Sequence, residues 1–120
     1  MESNSYRTVT FYKEYFAVFY SKQTQQVKDK ILWTFRLIEE LSQVPECYLK
    51  HLTGTEGLYE IRVQCGRGTY RAFCFFDEDR LIIVVNGFQK KTQKTPRREM
   101  TKALALKKEY YEEKKQSQTS

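Results

Sequence analysis

The sequence predicts an α+β domain with a small, mostly antiparallel sheet and the element order β-α-α-β-β-β-α. Three observations predict it. Strand-type alternation opens the chain, a helical period holds over residues 13–41, and three apolar runs joined by four-residue connections precede a last helical stretch. Such short connections make adjacent antiparallel pairing the natural solution.

Residues 6–12 (Tyr-Arg-Thr-Val-Thr-Phe-Tyr) are rich in β-branched and aromatic side chains and read as the first strand. A short helix is expected over 14–21. Val27, Ile31, Phe35, Ile38 and Leu41 recur at helical spacing, with Lys28, Lys30, Arg36, Glu39 and Glu40 on other faces, which predicts an amphipathic helix from about Thr24. Trp33 falls near that stripe and is expected in the core. Pro45 closes the helical region, and 46–55 reads as loop. Strands are expected over 58–64, 69–76 and 81–88. Alternation in the first places Leu58, Glu60, Arg62 and Gln64 on one face and Tyr59, Ile61, Val63 and Cys65 on the other, the core face. Glu60 and Arg62 are therefore expected together on a surface facing solvent or a cleft, where an exposed ion pair contributes well under about 1 kcal/mol. Leu81-Ile82-Ile83-Val84-Val85 has the uninterrupted apolar pattern of a strand buried on both faces. The last helix is expected from Pro96 to about Glu113, with Thr95 as N-cap, Pro96 as first helical residue, and Met100, Ala103, Leu104 and Leu106 inward. Tyr110 and Tyr111 extend that packing. The polar end is expected to fray, with disorder over 116–120.

A chain of 120 residues suits one domain, assigned to 1–115, able to bury roughly two thirds of its unfolded surface. A net charge of +6 favours polyanionic partners, nucleic acid first and acidic protein second. The amino terminus has no apolar h-region and no run reaches the length of a membrane span, so neither export nor membrane insertion is expected and the reading is cytoplasmic. Cys47, Cys65 and Cys74 are odd in number, widely spaced and without a C-x-x-C pair. That pattern suits reduced structural thiols, and no metal site or cofactor is expected. His51, the only histidine, reads as structural.

The segment Asn86-Gly87-Phe88-Gln89-Lys90-Lys91-Thr92-Gln93-Lys94-Thr95-Pro96 turns an apolar strand into a cationic loop that ends at a helix start. First-turn N–H groups already carry partial positive charge, so Arg97 and Arg98 add like to like, an arrangement that a bound phosphate would relieve. A solvated basic turn is the other reading of the same residues. Arg71 shares its strand face with Phe73 and Phe75, so its guanidinium must reach a carboxylate, a carbonyl or a phosphate.

Three blocks together resemble a known family: Gly57-Leu58-Tyr59-Glu60-Ile61-Arg62-Val63, Tyr70-Arg71-Ala72-Phe73-Cys74-Phe75-Phe76, and the run from Gly87 to Pro96. The chain resembles the phage-derived HigB-like branch of the RelE/ParE toxin superfamily over nearly its whole length, the G-F-x-K-K-T-Q-K-T-P run being the specific block. The resemblance implies a RelE-like fold, with the sheet packed on two N-terminal helices and a C-terminal helix. It further implies the toxin of a type II toxin-antitoxin system, acting as an endonuclease on mRNA at the ribosome and neutralised by a helix-turn-helix antitoxin.

A metal-free ribonuclease makes the RNA's 2′-hydroxyl attack the adjacent phosphate, which needs a proton acceptor, cations for the pentacoordinate transition state and a donor for the leaving oxygen. By resemblance, Arg62, Arg71 and Lys91 are expected on the scissile phosphate with Glu60 as the base, while Lys90, Lys94, Arg97 and Arg67 bind substrate beside it. The HigB-like branch commonly carries histidine where this chain has Asn86. A late tyrosine of RelE-like enzymes has no counterpart among Thr92, Thr95 and Arg97, so the resemblance assigns no general acid. Two other readings stay open: a ParE-like inhibitor of DNA gyrase that binds without cleaving, and a degenerate relative that only binds antitoxin or nucleic acid.

Overall fold

The computed structural model describes residues 5–119; residues 1–4 and Ser120, the last of the expected tail, lie outside the described residues. The elements are β1 (Thr8–Phe11), α1 (Tyr15–Ser21), α2 (Gln25–Glu40), β2 (Leu49–His51), β3 (Tyr59–Cys65), β4 (Gly68–Asp77), β5 (Leu81–Gln89) and α3 (Arg97–Thr119). They build one five-stranded sheet in the order β1-β5-β4-β3-β2. β1 runs parallel to β5, while all other neighbours are antiparallel. The chain thus crosses one face through α1 and α2, from the β1 edge to the β2 edge, and returns as an antiparallel meander.

Helices cover both faces. Phe16 of α1 and Val27, Ile31, Phe35 and Ile38 of α2 pack on Ile61, Val63, Ala72, Cys74, Ile82 and Val84. On the opposite face Ala103 and Leu106 of α3 pack on Leu58, Phe73, Phe75, Ile83, Val85 and Phe88. The fully buried run from Ile82 to Asn86 follows from this double cover. Local signals agree with the global arrangement at α2: Thr24 is extended, and its hydroxyl accepts from the Val27 N–H at 3.3 Å. At the other end the Arg7 guanidinium donates to the carbonyls of Ile38, Leu41 and Ser42, closing the last turn with a cation.

Four expectations need correction. Residues 46–55 are not all loop, because Leu49–His51 add the edge strand β2, too short to leave a pattern. Trp33 is 44% exposed rather than in the core. At 3.6 residues per turn it lies on the side of α2 away from Ile31, Thr34, Phe35 and Ile38. The face of β3 bearing Glu60 is closed at its start, where α3 packs on Leu58 and Glu60 is buried, and opens only at Arg62 and Gln64. Finally, α3 starts at Arg97 and is helical through Thr119, past Glu113 and most of the segment expected to fray.

The carboxyl half of α3 is tied down by polar contacts. Lys114 Nζ and the Tyr110 hydroxyl both reach the buried Asp77 carboxylate, at 2.8 and 2.5 Å. The Tyr12 hydroxyl lies within hydrogen-bond distance of both Glu109 and Glu113, at 2.8 and 2.6 Å, and both carboxylates also pair with Lys13.

Candidate functional site

Register creates the site. Lys50, Glu60 and Phe73 lie in one row across β2, β3 and β4, and Arg62, Arg71 and Phe88 in the next, across β3, β4 and β5. Directly opposed residues of antiparallel strands share a face, so Lys50, Glu60, Arg62 and Arg71 all rise on the α3 side. Glu60 is 2% exposed, and its Oε1 lies 3.1 Å from Arg62 Nε and 3.4 Å from Arg71 Nε. A carboxylate this deep is tolerable only when paired. Two guanidiniums on one oxygen provide the pairing and leave the cluster net positive. The Arg62 contact is a hydrogen bond. The Arg71 contact is close but poorly aligned, so among the described residues Arg71 Nε is a buried donor without a hydrogen-bond partner. Burial lowers the Arg71 pKa; Glu60 opposes that and Arg62 adds to it, a net lowering that still leaves an arginine charged at neutral pH.

Among the described residues, the hydrogen bond to the second oxygen of Glu60, Oε2, comes from the Thr95 hydroxyl, at 3.5 Å. This corrects the expected cap. Pro96, not Thr95, contributes the first helical carbonyl, accepting from Glu99 and Met100 N–H, while Thr95 turns toward the buried carboxylate. The start of α3 is fixed a second time by Asn86, 1% exposed, whose Nδ2 donates to the carbonyl and to Oε1 of Glu99, each at 3.1 Å. Its Oδ1 is buried and has no partner among the described residues.

A bulge makes that contact possible. The β4–β5 register runs from Ala72↔Gly87 to Cys74↔Val84, so Val85 and Asn86 together oppose Phe73. Both therefore face α3, Gly87 is switched to the α1 face, and Phe88 returns to the α3 face.

The other predicted residues spread outward. Lys90 N–H bonds Thr69 O at 2.7 Å, which sets the exit of β5 beside the start of β4. Arg67 is exposed at the β3–β4 hairpin, at the same end of the sheet, and Lys91, Lys94 and Arg97 are exposed along the loop and first turn of α3. Among the described residues no ion pair or hydrogen bond joins these cations to Glu60, Arg62 or Arg71. The site is thus a buried carboxylate with two arginines at its rim and a looser cationic border. Sequence reasoning missed Lys50 and Thr95 as members. The first depends on a strand of three residues and the second on a contact across 35 positions.

His51 is exposed and packs on Tyr59 with ring centroids 5.0 Å apart, away from this cluster's contacts. The three cysteines are free thiols, and burial pushes that of Cys74 up. Among the described residues no three His, Cys, Asp or Glu side chains gather as a metal-binding group, and no helix is long and apolar enough to cross a membrane.

Fold and cluster together define a small α+β protein with an arginine pair set over a buried carboxylate. The profile of the family described as phage-derived protein Gp49-like matches residues 18–108, and the chain belongs to that family, which is toxin-antitoxin-related. The match runs from α1 into α3 and includes every residue of the cluster. No curated protein matches the chain.

Proposed function

We propose that this protein is the toxin of a type II toxin-antitoxin system and cleaves mRNA on the ribosome by 2′-hydroxyl attack, without a metal. The observation that carries the reading is the pair Arg62 and Arg71 converging on Glu60. Guanidiniums placed side by side can hold a phosphate bidentately and stabilise its transition-state charge. Lys91 adds to the scissile phosphate, and Lys90, Lys94, Arg97 and Arg67 hold the flanking strand. Glu60 acts as base through Oε2, since Oε1 is occupied by the arginines. The substrate hydroxyl takes the place of Thr95 in doing so.

The decisive experiment maps mRNA ends on translating ribosomes for the wild type, Arg62→Ala and Arg71→Lys. New ends are expected from the wild type and far fewer from either variant. Toxicity without new ends would sink the nuclease reading. Glu60→Gln is expected to slow single-turnover cleavage at least tenfold while ribosome binding persists. An unchanged rate removes Glu60 from the chemistry.

A second reading is favoured by the burial of Glu60 and by the amide of Asn86 at the position where the HigB-like branch, which the chain resembles, commonly has histidine. In that reading the protein binds antitoxin, nucleic acid or, in the ParE manner, DNA gyrase, and cleaves nothing. Growth inhibition that depends on gyrase and not on translation would support the ParE form.

A further inference from the structure

Trp33 is the residue that neither the core nor the arginine cluster uses. It is the only tryptophan of the chain, and it stands on the outer side of α2. Its ring lies edge-to-face with Tyr48 at 5.9 Å, and the Lys30 ammonium sits 4.1 Å from its centroid. Beside it a groove of about 510 Å³ runs between α2 and the β3–β4 hairpin, lined by Gln26, Asp29, Lys30, Gln64 and Gly66. Cys65 also lines it, and the lining surface is largely apolar, with the polar ends of Gln26, Asp29, Lys30 and Gln64 beside the indole, a combination that suits the flat face of a base bordered by hydrogen-bonding groups.

The groove lies on the α2 side of the sheet and meets the face of the candidate site at the edge of β3, beyond the residues that β2 pairs. Gln64 lies on the same face of β3 as Glu60 and Arg62, about 7 Å along the strand from Arg62, and also lines the groove. Its amide is held in place, accepting from the Thr69 hydroxyl at 3.0 Å and donating to the Gly66 carbonyl at 3.3 Å. Arg67 is exposed next to Gly66. A strand whose phosphate lies at Arg62 therefore reaches the groove by passing round the edge of β3, beside Gln64 and the exposed Arg67.

We infer that Trp33 and this groove form a stacking subsite for one base of a single-stranded RNA segment, an inference that rests on the RNA reading above. The base displaces Lys30 from the indole, freeing the ammonium for the adjacent phosphate. Asp29 supplies an acceptor for a base amino group or a 2′-hydroxyl. Stacking on an aromatic face is tolerant of sequence, so the subsite adds affinity and register rather than base choice.

Because Trp33 is the only tryptophan, its emission reports on this subsite alone. The full chain is titrated with decauridylate RNA, and a fluorescein-labelled copy gives affinity by anisotropy. Saturable quenching is expected. Trp33→Ala should weaken binding about tenfold, Trp33→Phe much less, and Lys30→Ala severalfold. Arg71→Lys should keep the quenching. The subsite is overturned if RNA binds with unchanged emission, if Trp33→Ala binds as tightly as the wild type, or if no RNA binds at low salt. Emission that changes with protein concentration alone overturns it in favour of a second copy of the chain. Cleavage on ribosomes without quenching overturns the subsite and spares the nuclease; quenching without cleavage does the reverse.

Discussion

Glu60 shows how one residue's environment decides what it can do. In an exposed pair it would matter little, but at 2% exposure its two arginine partners become a condition of folding. Arg71→Ala leaves the buried carboxylate with a single, more exposed partner and is expected to lower stability by roughly 3 kcal/mol in urea unfolding. Arg62, whose side chain is 29% exposed, can be replaced by water, and Arg62→Ala should cost clearly less. Equal losses would show that Arg71 is not the principal counter-ion. Gly87 is a second such position. A Cβ there would lie 2.6 Å from Phe19 Cδ2 and 2.9 Å from Phe16 Cε1, because the bulge turns it toward α1. Gly87→Ala is therefore expected to destabilise by about 1–3 kcal/mol through overpacking, and an unaltered urea midpoint would contradict this packing.

Among the elements, α3 has the greatest consequence for the site. The loop that leads into it reaches the cluster through Thr95, Asn86 holds its first turn through Glu99, and its last turns are moored by Asp77, Tyr110 and Lys114. Burial alone would raise the Asp77 carboxyl, but Lys114 and the Tyr110 hydroxyl outweigh it and hold the carboxyl below its ordinary range. A lowered carboxyl contributes stability above its unfolded pKa, near 4, and loses that contribution as pH falls through the folded value. The stability gap between wild type and Asp77→Asn should therefore be widest at neutral pH and close on acidification. A gap that stays constant down to pH 2 would show that the pair's charge is irrelevant. The helical period of α3 was legible in its sequence. Its cover over Glu60 was not, since amphipathicity says which side of a helix is buried and not which sheet face receives it.

For the molecule as a whole, the charge of +6 and the placement of its cations matter together. Lys90, Lys91, Lys94, Arg97 and Arg67 border the same end of the sheet, so RNA affinity should fall linearly in a plot of log K against log salt. Lys91→Gln with Lys94→Gln should flatten that slope by about 1–1.5, at roughly 0.7 per phosphate contact on a single strand. An unchanged slope would place these lysines away from the backbone. The meander of β3, β4 and β5 and the double burial of β5 were readable, because each rests on local periodicity and short connections, whereas the expected element order lacked β2. Trp33 and β2 were misread for a related reason. Trp33 sits near an apolar stripe in sequence yet across the helix from it in space, and three residues are too few to show alternation.

The sequence by itself determined the periodic elements, the short connections between the last three strands and the identity of the charged residues. All of these depend on residue types and on neighbours within a few positions. Only the tertiary structure decided that Glu60 is buried between Arg62 and Arg71, and that Thr95 faces it in place of capping a helix. Those facts depend on register between strands and on which face a distant helix covers. Desolvation then turns an ordinary surface ion pair into the charged center of the molecule.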